Sequence, residues 1–405
     1  MRSHALENST RPAGVSDPTL PAELADLRDR VSAFVREVVI PAEAELGLGS
    51  PSAELRERLQ RSAAEAGLLA PHVAEEHGGL GLDMFGQSVV FEAAGYSLLG
   101  PLALNCAAPD EGNMHLLSVI ATDDQKARYL RPLAAGESRS CFAMTEPAPG
   151  AGSDPAALLT TATQVDGGWR IEGRKWLITG AQGAAFAIVM ARTGELSRGQ
   201  GATMFLVDAE NPGFQVVREI PTLDHAMIGG HCEVVFEDCV VDEAAVLGEL
   251  DQGFRYAQVR LAPARLTHCM RWLGIARRSL DIALEHTRDR ELFGERLHDL
   301  GLAQQLIADS AIDIEASRAL IRQAVRVIDA GGRGGHESSI AKTFVSEAVD
   351  RVVDRSIQLC GGVGVTHETP LGRFMNEVRA FRIYDGSAET HRWAIARREA
   401  RRTIG

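Results

Sequence analysis

Long hydrophobic runs are absent from this 405-residue sequence. No stretch approaches the 18 or more consecutive apolar residues that mark a membrane-spanning helix. The first seven residues, MRSHALE, contain no apolar segment like that of a signal peptide, and no Arg-rich, acid-poor transit peptide is present. These absences predict a cytoplasmic protein that does not use the membrane.

Positive charge is also in short supply. The chain has 42 Lys and Arg against 55 Asp and Glu, a formal net charge of −13 and a sequence pI near 5.5. Binding to nucleic acids or anionic membranes depends on clustered Lys and Arg side chains that neutralise phosphate groups. The charge balance therefore predicts no nucleic-acid partner, although a local basic patch remains compatible with it.

Metal-binding patterns are missing. The six cysteines contain no C-x-x-C pair, and the twelve histidines contain no H-E-x-x-H. Several cysteines stand in apolar surroundings, as in Leu359-Cys360. We therefore expect reduced, buried thiols that behave as small hydrophobic residues, and no metal site.

The glycine pattern of a dinucleotide-binding fold is incomplete. The pairs Gly79-Leu-Gly81, Gly150-Ala-Gly152 and Gly362-Val-Gly364 each lack the third glycine and the preceding strand of G-x-G-x-x-G. A nicotinamide-binding Rossmann domain is therefore not predicted.

The composition is that of an ordinary globular protein, with 45% hydrophobic and 24% charged residues. Hydrophobic periodicity divides it into a helical domain (1–139), a β domain (140–250) and a second helical domain (251–405), which predicts an α+β fold. In the first domain, apolar residues at spacings of three and four predict a helix with one buried face: Leu24, Leu27, Val31, Phe34, Val35 and Val38. Further helices are expected at 52–66 and 84–98, and a capping box at 122–125.

The middle domain changes to a period of two. Residues 158–165 and 169–171 flank Asp166-Gly-Gly168 and predict a β-hairpin, because glycine supplies the positive φ of a tight turn. Further strands are expected at 187–191, 203–208, 214–218 and 233–236, in a compact antiparallel sheet. The last domain is predicted as a bundle of about four long helices (253–288, 302–330, 337–360 and 390–402), with a flexible link at 331–335.

Two stretches carry candidate chemistry. In Phe142-Ala-Met-Thr-Glu-Pro-Ala-Pro-Gly-Ala-Gly-Ser-Asp154 a strand leads into a Gly-rich loop, which could place backbone N–H groups and a hydroxyl against a planar polar ring or could be an ordinary connection. In Tyr384-Asp-Gly-Ser387 the residue types favour a turn that enters a helix. From these residues alone, both structural explanations remain open.

Five motifs in order resemble the acyl-CoA dehydrogenase family. The loop above is similar to the family's T-E-P-x-x-G-S-D, and Lys175-Trp-Leu-Ile-Thr-Gly180 to its K-x-W-I-T-N. The segments 288–294 (RDRELFG) and 358–364 (QLCGGVG) resemble E-R-x-x-F-G and Q-x-x-G-G-x-G, and Tyr384-Asp-Gly386 falls where the family has Y-E-G. The predicted α–β–α order also matches the family's architecture of an N-terminal helical domain, a middle β domain and a C-terminal four-helix bundle.

The resemblance implies FAD and the oxidation of an acyl-CoA thioester to the trans-2-enoyl-CoA, as in fatty-acid β-oxidation. Asp385 would then remove the α-proton, with a pKa raised by desolvation against the acyl chain and flavin. Four residues are implied for substrate binding: Ser153, Arg265, Tyr384 and Gly386.

The implied cofactor-binding residues fall into two sets. One set would contact the flavin in the same subunit: Phe142, Met144, Thr145, Gly152, Ser153, Leu177 and Thr179. The other set would reach the pyrophosphate and adenylate of FAD: Arg290, Phe293, Gln358, Gly361, Gly362, Ser387 and Glu389. Of these, Arg290, Gln358, Gly361 and Gly362 would serve the FAD of a neighbouring subunit. A homo-oligomer, dimer or tetramer, would follow.

Several positions depart from the family pattern. The loop is longer by Ala148-Pro149, Leu177 replaces an aromatic ring expected on the flavin, and the base is Asp rather than Glu. Some relatives carry the base on the long C-terminal helix, where this chain has Ala264. The resemblance is greatest to the subgroup numbered ten and eleven, which also has Asp-Gly at the base position.

Three functions are compatible with the resemblance. The first is a dehydrogenase that passes electrons to an electron-transfer flavoprotein. The second is an oxygen-using oxidase or flavin monooxygenase, for which hydrogen peroxide would form without an added acceptor. The third is a DNA-binding relative, for which the arginines near the C-terminus (Arg397, Arg398, Arg401 and Arg402) would provide a basic surface.

Overall fold

The computed structural model describes residues 20–197 and 200–401. The first seven residues and the predicted end of the last helix at Arg402 lie outside these ranges. Within them, no helix is long and apolar enough to cross a membrane, and no three His, Cys, Asp or Glu side chains are grouped to hold a metal ion.

Helices and helical turns make up the first part of the chain. They are α1 (Ala22–Phe34), α2 (Ile40–Leu46), α3 (Ala53–Glu65), α4 (Met84–Ala94), α5 (Gly100–Ala103), α6 (Asp110–Ile120), α7 (Asp123–Gln125) and α8 (Arg131–Ala134). The side chains of Ser52 and Asp83 accept hydrogen bonds from backbone N–H groups in the first turns of α3 and α4. Both bonds of the predicted capping box between Thr122 and Gln125 are present.

One part of the predicted helix face is wrong. A π-helical turn at Val35–Val39 follows α1 and adds a residue to the local repeat. The apolar stripe is therefore displaced by one position, so that Val39 is fully buried while Val38 is exposed. Val31, Phe34 and Val35 are buried as predicted.

The middle of the chain forms an eight-stranded sheet. Its strands are β1 (Ser140–Ala143), β2 (Thr161–Val165), β3 (Gly168–Thr179), β4 (Phe186–Ser197), β5 (Gln200–Asp208), β6 (Phe214–Glu219), β7 (His231–Asp242) and β8 (Val246–Leu247). The order is β6-β7-β3-β2-β4-β5-β8, with β1 also paired to β4. The β2–β3 hairpin turns at Asp166-Gly167 as predicted, but the sheet is mixed rather than antiparallel because β1 runs parallel to β4.

The last part of the chain is a helical bundle. A two-stranded ribbon, β9 (Glu291–Leu292) and β10 (Glu295–Arg296), lies between its first two helices, and the helices are α9 (Gly253–Asp289), α10 (Gly301–Asp329), α11 (Gly335–Cys360), α12 (Leu371–Phe381) and α13 (Ala388–Glu399). Four of them correspond to predicted helices, and α12 was missed although its buried residues Leu371, Phe374, Val378 and Phe381 follow helical spacing. Helices before and after a mixed sheet confirm the α+β class.

The helical parts share one hydrophobic core. Phe91 and Leu99 from the first part are buried in the same cluster as Leu273, Val345 and Phe374 from the last. A second cluster joins one face of the sheet to α6 and α9. All six cysteines are buried and unpaired, as predicted. Phe381, at the end of α12, is buried in the shared helical core, and Tyr384 in the turn that follows packs against it.

Candidate active site

The turn between α12 and α13 presents Asp385 in an unusual backbone conformation. Asp385 has φ = +53° and Gly386 has φ = +92°, the left-handed region that Asp tolerates better than most residues and glycine adopts freely. A Cβ at Gly386 would lie 2.8 Å from Nε2 of His391. Ser387 then caps α13, since its hydroxyl oxygen accepts a hydrogen bond from Thr390 N–H (3.2 Å). The local sequence thus forms the helix-entry turn that was predicted.

Three side chains hold the carbonyl groups of this turn. Arg265 Nε donates to the carbonyl oxygen of Asp385 at 3.0 Å, and His391 Nε2 lies 3.1 Å from the same oxygen. Lys342 Nζ donates to the carbonyl oxygen of Gly386 at 2.6 Å. The donors come from α9, α13 and α11. Their convergence fixes a conformation that the backbone alone disfavours.

The carboxylate of Asp385 is partly accessible, with 20% of its side chain exposed, and its Oδ2 lies 3.4 Å from Nε2 of His268. This distance is long for a hydrogen bond. Burial acts to raise the pKa of Asp385, but the imidazole of His268 and the guanidinium groups of Arg260 and Arg265 outweigh it and hold the pKa well below its usual range. The raised pKa expected from the sequence concerns the carboxylate sealed against an acyl chain and flavin and stays a prediction; in the protein alone, these three groups lower the pKa.

His268 is linked to further buried polar groups. Arg271 Nη2 donates to Nδ1 of His268 at 3.1 Å, and Arg271 Nη1 donates to the carbonyl oxygen of Cys106 at 2.8 Å. The same Nη1 lies 3.6 Å from Oε1 of Glu111, which also accepts a short hydrogen bond from Thr267. A line of contacts therefore runs from Asp385 through His268 and Arg271 to Glu111 on α6.

Tyr384 is turned towards α9. Its hydroxyl accepts a hydrogen bond from Trp272 Nε1 at 2.6 Å, and its ring packs on His268 with a centroid separation of 4.8 Å. Burial raises the pKa of Tyr384 well above its usual range. Tyr384 therefore packs within the helical bundle, and its contact with substrate stays a prediction.

The sequence reasoning missed His268, Arg271 and Lys342. The first two had a visible signal, since Arg265, His268 and Arg271 recur at intervals of three and share one side of a helix. Lys342 had none, because its importance depends on α11 packing beside the turn. Ala264 is buried, as is expected of a residue without a polar role.

The end of the sheet gathers part of the predicted flavin set. Trp176 N–H donates to the carbonyl oxygen of Thr145 at 2.9 Å, and Lys175 Nζ donates to that of Met144 at 3.1 Å. These bonds place Met144 and Thr145 beside Leu177. Lys175 also forms a fully buried ion pair with Glu146 at 3.0 Å, which anchors the start of the Gly-rich loop.

Leu177 lies in a β-bulge. Residues 176 and 177 face a single residue of β7, because the register shifts between Lys175 and Ile178. Leu177 has φ = +55° and a side chain that is 42% exposed, while Arg218 lies over the ring of Trp176 at 5.6 Å. The simple alternation of side chains expected along this strand therefore does not apply here.

Thr179 begins a second polar chain. Its hydroxyl lies 2.9 Å from Nδ1 of His231, and Nε2 of His231 lies 2.9 Å from Oδ2 of Asp224. The charge of Asp224 also contributes to raising the pKa of Tyr384. This line of polar side chains therefore approaches the α12–α13 turn from the sheet side. The sequence gave no indication of His231 or Asp224.

The remaining nearby residues differ in accessibility. A hydrogen bond from Glu146 N–H to the carbonyl oxygen of Ala151 (2.7 Å) closes the Gly-rich loop. Gly152 and Ser153, which follow it, are exposed. Phe142 is half-buried, with the guanidinium of Arg260 over its ring at 4.1 Å. The Ser387 hydroxyl is engaged in capping, while Glu389 is exposed in the first turn of α13.

A second group of predicted residues lies far from Asp385. Arg290 is 25 residues beyond Arg265 along or just past α9, which corresponds to roughly 37 Å at 1.5 Å per residue. Gln358 is 16 residues beyond Lys342 on α11, roughly 24 Å. Arg290 and Gln358 are exposed, as are Phe293, Gly361 and Gly362. The fold therefore separates this set from the set around Asp385.

The residues at the sheet end fit a flavin ring. An isoalloxazine needs an apolar contact on its face and hydrogen-bonding groups at its edge. The exposed side chain of Leu177 offers the first, and the hydroxyls of Thr145, Ser153 and Thr179 offer the second. The chemistry of these side chains is therefore compatible with FAD.

Comparisons with known proteins agree with this architecture. Three family models match consecutive parts of the chain: the N-terminal domain of acyl-CoA dehydrogenase at residues 21–137, the middle domain at 141–239 and the C-terminal domain at 251–400. Together they cover most of the sequence, in the order that the motifs predicted.

Individual relatives were also found. "Probable acyl-CoA dehydrogenase FadE2" of Mycobacterium tuberculosis is 38% identical over 400 residues, which covers 95% of this chain and 97% of that protein. Acyl-CoA dehydrogenase family member 11 of Homo sapiens is 36% identical over 330 residues, and the match covers 79% of this chain but only 42% of that longer protein. Butyryl-CoA dehydrogenase from Megasphaera elsdenii has a similar structure, with a TM-score of 0.85, 27% identity and coverage of 94% and 99% of the two chains. The expected similarity to the subgroup numbered ten and eleven is confirmed.

Proposed function

This chain belongs to the acyl-CoA dehydrogenase family, with FAD as its cofactor, and we propose that Asp385 is the base that removes the α-proton of its acyl-CoA substrate. The observation that carries this proposal is the conformation of Asp385. A partly accessible carboxylate stands on a left-handed residue whose carbonyl oxygen lies within hydrogen-bonding distance of two donors.

The low pKa of Asp385 keeps its carboxylate ionised before substrate binds. Because the carboxylate is ionised at neutral pH, no proton has to leave it before the reaction. In the reaction, the α C–H bond breaks, the proton passes to the carboxylate, and the electron pair stays on the substrate next to the thioester carbonyl. An acyl chain packed against the carboxylate would remove water from it and strengthen it as a base.

The backbone at Asp385 supports the charge that develops on the thioester. Among the described residues, no group accepts a hydrogen bond from the N–H of Asp385. We therefore assign this N–H to the thioester oxygen, where a fixed donor stabilises negative charge. Arg265 holds the carbonyl side of the same residue at 3.0 Å and so orients the N–H indirectly.

The sheet end would hold the flavin. Met144, Thr145, Gly152, Ser153, Leu177 and Thr179 are assigned to this contact; when bound, FAD supplies the acceptor for the β-hydride. The separation of Arg290 and Gln358 from Asp385 supports their assignment to the FAD of a neighbouring subunit, and hence a homo-oligomer. An electron-transfer flavoprotein is proposed as the electron acceptor.

The decisive experiment is an anaerobic titration of the purified protein with acyl-CoA thioesters of increasing chain length, followed by flavin absorbance. The protein should bleach with at least one of them, and the chain length with the largest effect identifies the substrate class. The Asp385→Asn variant should keep its yellow FAD and lose the bleaching. Undiminished bleaching in that variant would remove Asp385 as the base, and steady peroxide formation in air by the parent protein would indicate an oxidase instead.

A further inference from the structure

A line of buried side chains stands behind Asp385. Oδ2 of Asp385 lies 3.4 Å from Nε2 of His268, and Nδ1 of His268 accepts a hydrogen bond from Arg271 at 3.1 Å. Arg271 in turn lies 3.6 Å from Glu111. His268, Arg271 and Glu111 are all buried. Such a line acts on the carboxylate without itself being open to substrate.

The contacts of His268 determine where its proton lies. The two groups nearest Nδ1 are the guanidinium of Arg271 and the hydroxyl of Tyr384, which is 3.4 Å away. A guanidinium can only donate hydrogen bonds and does not lose its proton in proteins. Nδ1 must therefore be the acceptor, and the single proton of the neutral ring lies on Nε2, facing Asp385.

The same contacts prevent His268 from passing protons onward. To take a proton from Asp385 and release it elsewhere, the ring would need a free acceptor beyond Nδ1, where Arg271 stands. Burial lowers the pKa of His268, and the charge of Arg271 lowers it further, against the opposing effects of Asp385 and Glu111. His268 therefore remains a neutral donor of one hydrogen bond.

The carboxylate has one engaged and one free oxygen. Among the described residues, Oδ2 faces His268 while no group hydrogen-bonds to Oδ1. Catalytic hydrogen bonds are often long before substrate is bound and shorten in the productive complex. A donor at Oδ2 therefore selects the rotation of the carboxylate and leaves Oδ1 to react.

We propose that His268 is a positioning residue, which holds Oδ2 of Asp385 so that Oδ1 receives the α-proton. The proposal rests on the proposed role of Asp385 as base. It assigns to His268 no proton transfer and no contact with the substrate. Arg271 and Glu111 act one step further back, since Arg271 fixes the tautomer and Glu111 offsets its charge.

Other charged and titratable groups also face Asp385 and must stay unchanged in any test. They are Arg260 and Arg265 on α9, Lys342 on α11, His391 on α13 and Tyr384 in the turn itself. Arg271 on α9 and Glu111 on α6 act on His268. Of the described groups around Asp385, only His268 combines proximity to the carboxylate with a single neutral donor. Substitution of His268 alone therefore isolates the proposed effect.

Two substitutions test the roles of the two ring nitrogens of His268 separately. In His268→Gln the amide nitrogen can take the place of Nε2, while in His268→Asn the shorter side chain can still accept from Arg271 but does not reach Asp385. The same His→Asn change at His298, which lies 3.5 Å from Asp299 in an exposed pair, serves as a matched control. Both His268 variants keep a polar group at the buried position, which favours correct folding.

The readout is exchange of the α-proton with D2O, measured by mass spectrometry on 3-thiaoctanoyl-CoA bound to the FAD-loaded protein. A sulfur atom replaces the β-carbon of this probe, so that no hydride can leave and the proton step is observed alone. The dissociation constant of the probe is measured in parallel, because a positioning residue changes the exchange rate more than the affinity.

We expect His268→Gln to exchange within about threefold of the parent protein, and His268→Asn to lose at least about tenfold with little change in affinity. Loss of the donor should also move the acid limb of the pH profile upward by about one unit, because the carboxylate loses a group that stabilises its charge. His298→Asn should match the parent.

Two results would overturn the proposal. Equal losses in His268→Gln and His268→Asn would indicate that the imidazole itself transfers protons, and full exchange in both would show that His268 has no positioning role. Asp385→Asn tests the premise separately: if that variant exchanges at the parent rate, Asp385 is not the base, whatever the His268 variants do.

Discussion

Two Asp–His pairs approach the proposed active site from different parts of the molecule. Asp385 and His268 belong to the helical bundle and stand 3.4 Å apart, whereas Asp224 and His231 belong to the sheet part and stand 2.9 Å apart. The second ring nitrogen of His268 faces a guanidinium, and that of His231 faces the Thr179 hydroxyl. The sheet pair is thus the shorter of the two, and its carboxylate is less accessible than that of the helical pair, with 9% against 20% of the side chain exposed.

The two pairs show that a low pKa does not by itself make a carboxylate the reactive one. The pKa of Asp224 is also held below its usual range, since hydrogen bonds from His231 and Thr222 and the charge of His231 outweigh the opposing effect of burial. A shifted pKa by itself therefore does not identify the base. The greater accessibility of its carboxylate and its left-handed backbone distinguish Asp385 from Asp224.

The largest expected effect comes from making the same substitution in both pairs. Asp385→Asn should slow acyl-CoA-dependent flavin reduction by at least about 100-fold, which is the usual contribution of a general base. Asp224→Asn should slow it by no more than about tenfold, because that carboxylate only orients His231. Anaerobic stopped-flow absorbance measures both rates, and similar losses in the two variants would erase the distinction between the pairs.

Stability should depend more on the buried cation behind the helical pair than on an exposed ion pair elsewhere on α9. Arg271→Met leaves the buried Glu111 carboxylate without its cation and should lower the free energy of unfolding by about 3–5 kcal/mol. Arg277→Met, which breaks a more exposed i,i+4 pair with Asp281 at 3.1 Å, should cost about 0.5 kcal/mol. Urea unfolding followed by circular dichroism measures both. A small loss in Arg271→Met would mean that Glu111 is satisfied without it.

The pH dependence of stability should have the same sign in both pairs. Because the folded-state pKa of each Asp is lowered, each carboxylate stabilises the fold above its unfolded pKa of about 3.9 and loses this contribution as the pH falls through the folded value. The difference in unfolding free energy between the parent and Asp224→Asn should therefore shrink below about pH 4. A difference that stays constant down to pH 2 would contradict the lowered pKa.

A small effect is expected at Thr179, which ends the line of polar side chains on the sheet side. Thr179→Val keeps the shape of the side chain but leaves Nδ1 of His231 without its hydroxyl donor, which should cost about 1 kcal/mol of stability. The same variant should also change the absorbance spectrum of bound FAD, since Thr179 is proposed to meet the ring. Thr193→Val, at a hydroxyl that bonds Thr203 and Asp251 away from this chain, is the control and should leave the flavin spectrum unaltered.

Local patterns predicted a large part of the fold. Helices α9, α10 and α11 and the β2–β3 hairpin were expected within a few residues, because their hydrophobic periodicity and turn residues act over short distances. The exposed Val38 shows the limit of such patterns, since one π-helical turn displaces the whole stripe. The parallel pairing of β1 with β4 was not expected, because strands distant in sequence leave no local signal of their relative direction.

The features of the candidate site also divide into those that the sequence shows and those that depend on packing. Its motifs and the turn at Asp385 are visible in the sequence, because short-range residue types determine caps, turns and backbone conformation. The neighbours of Asp385 are not visible, since His268 lies 117 positions earlier and Lys342 is on another helix. The sequence by itself determined which carboxylate stands on the turn, and only tertiary packing decided which of its oxygens is held, because that depends on side chains brought together through the shared core.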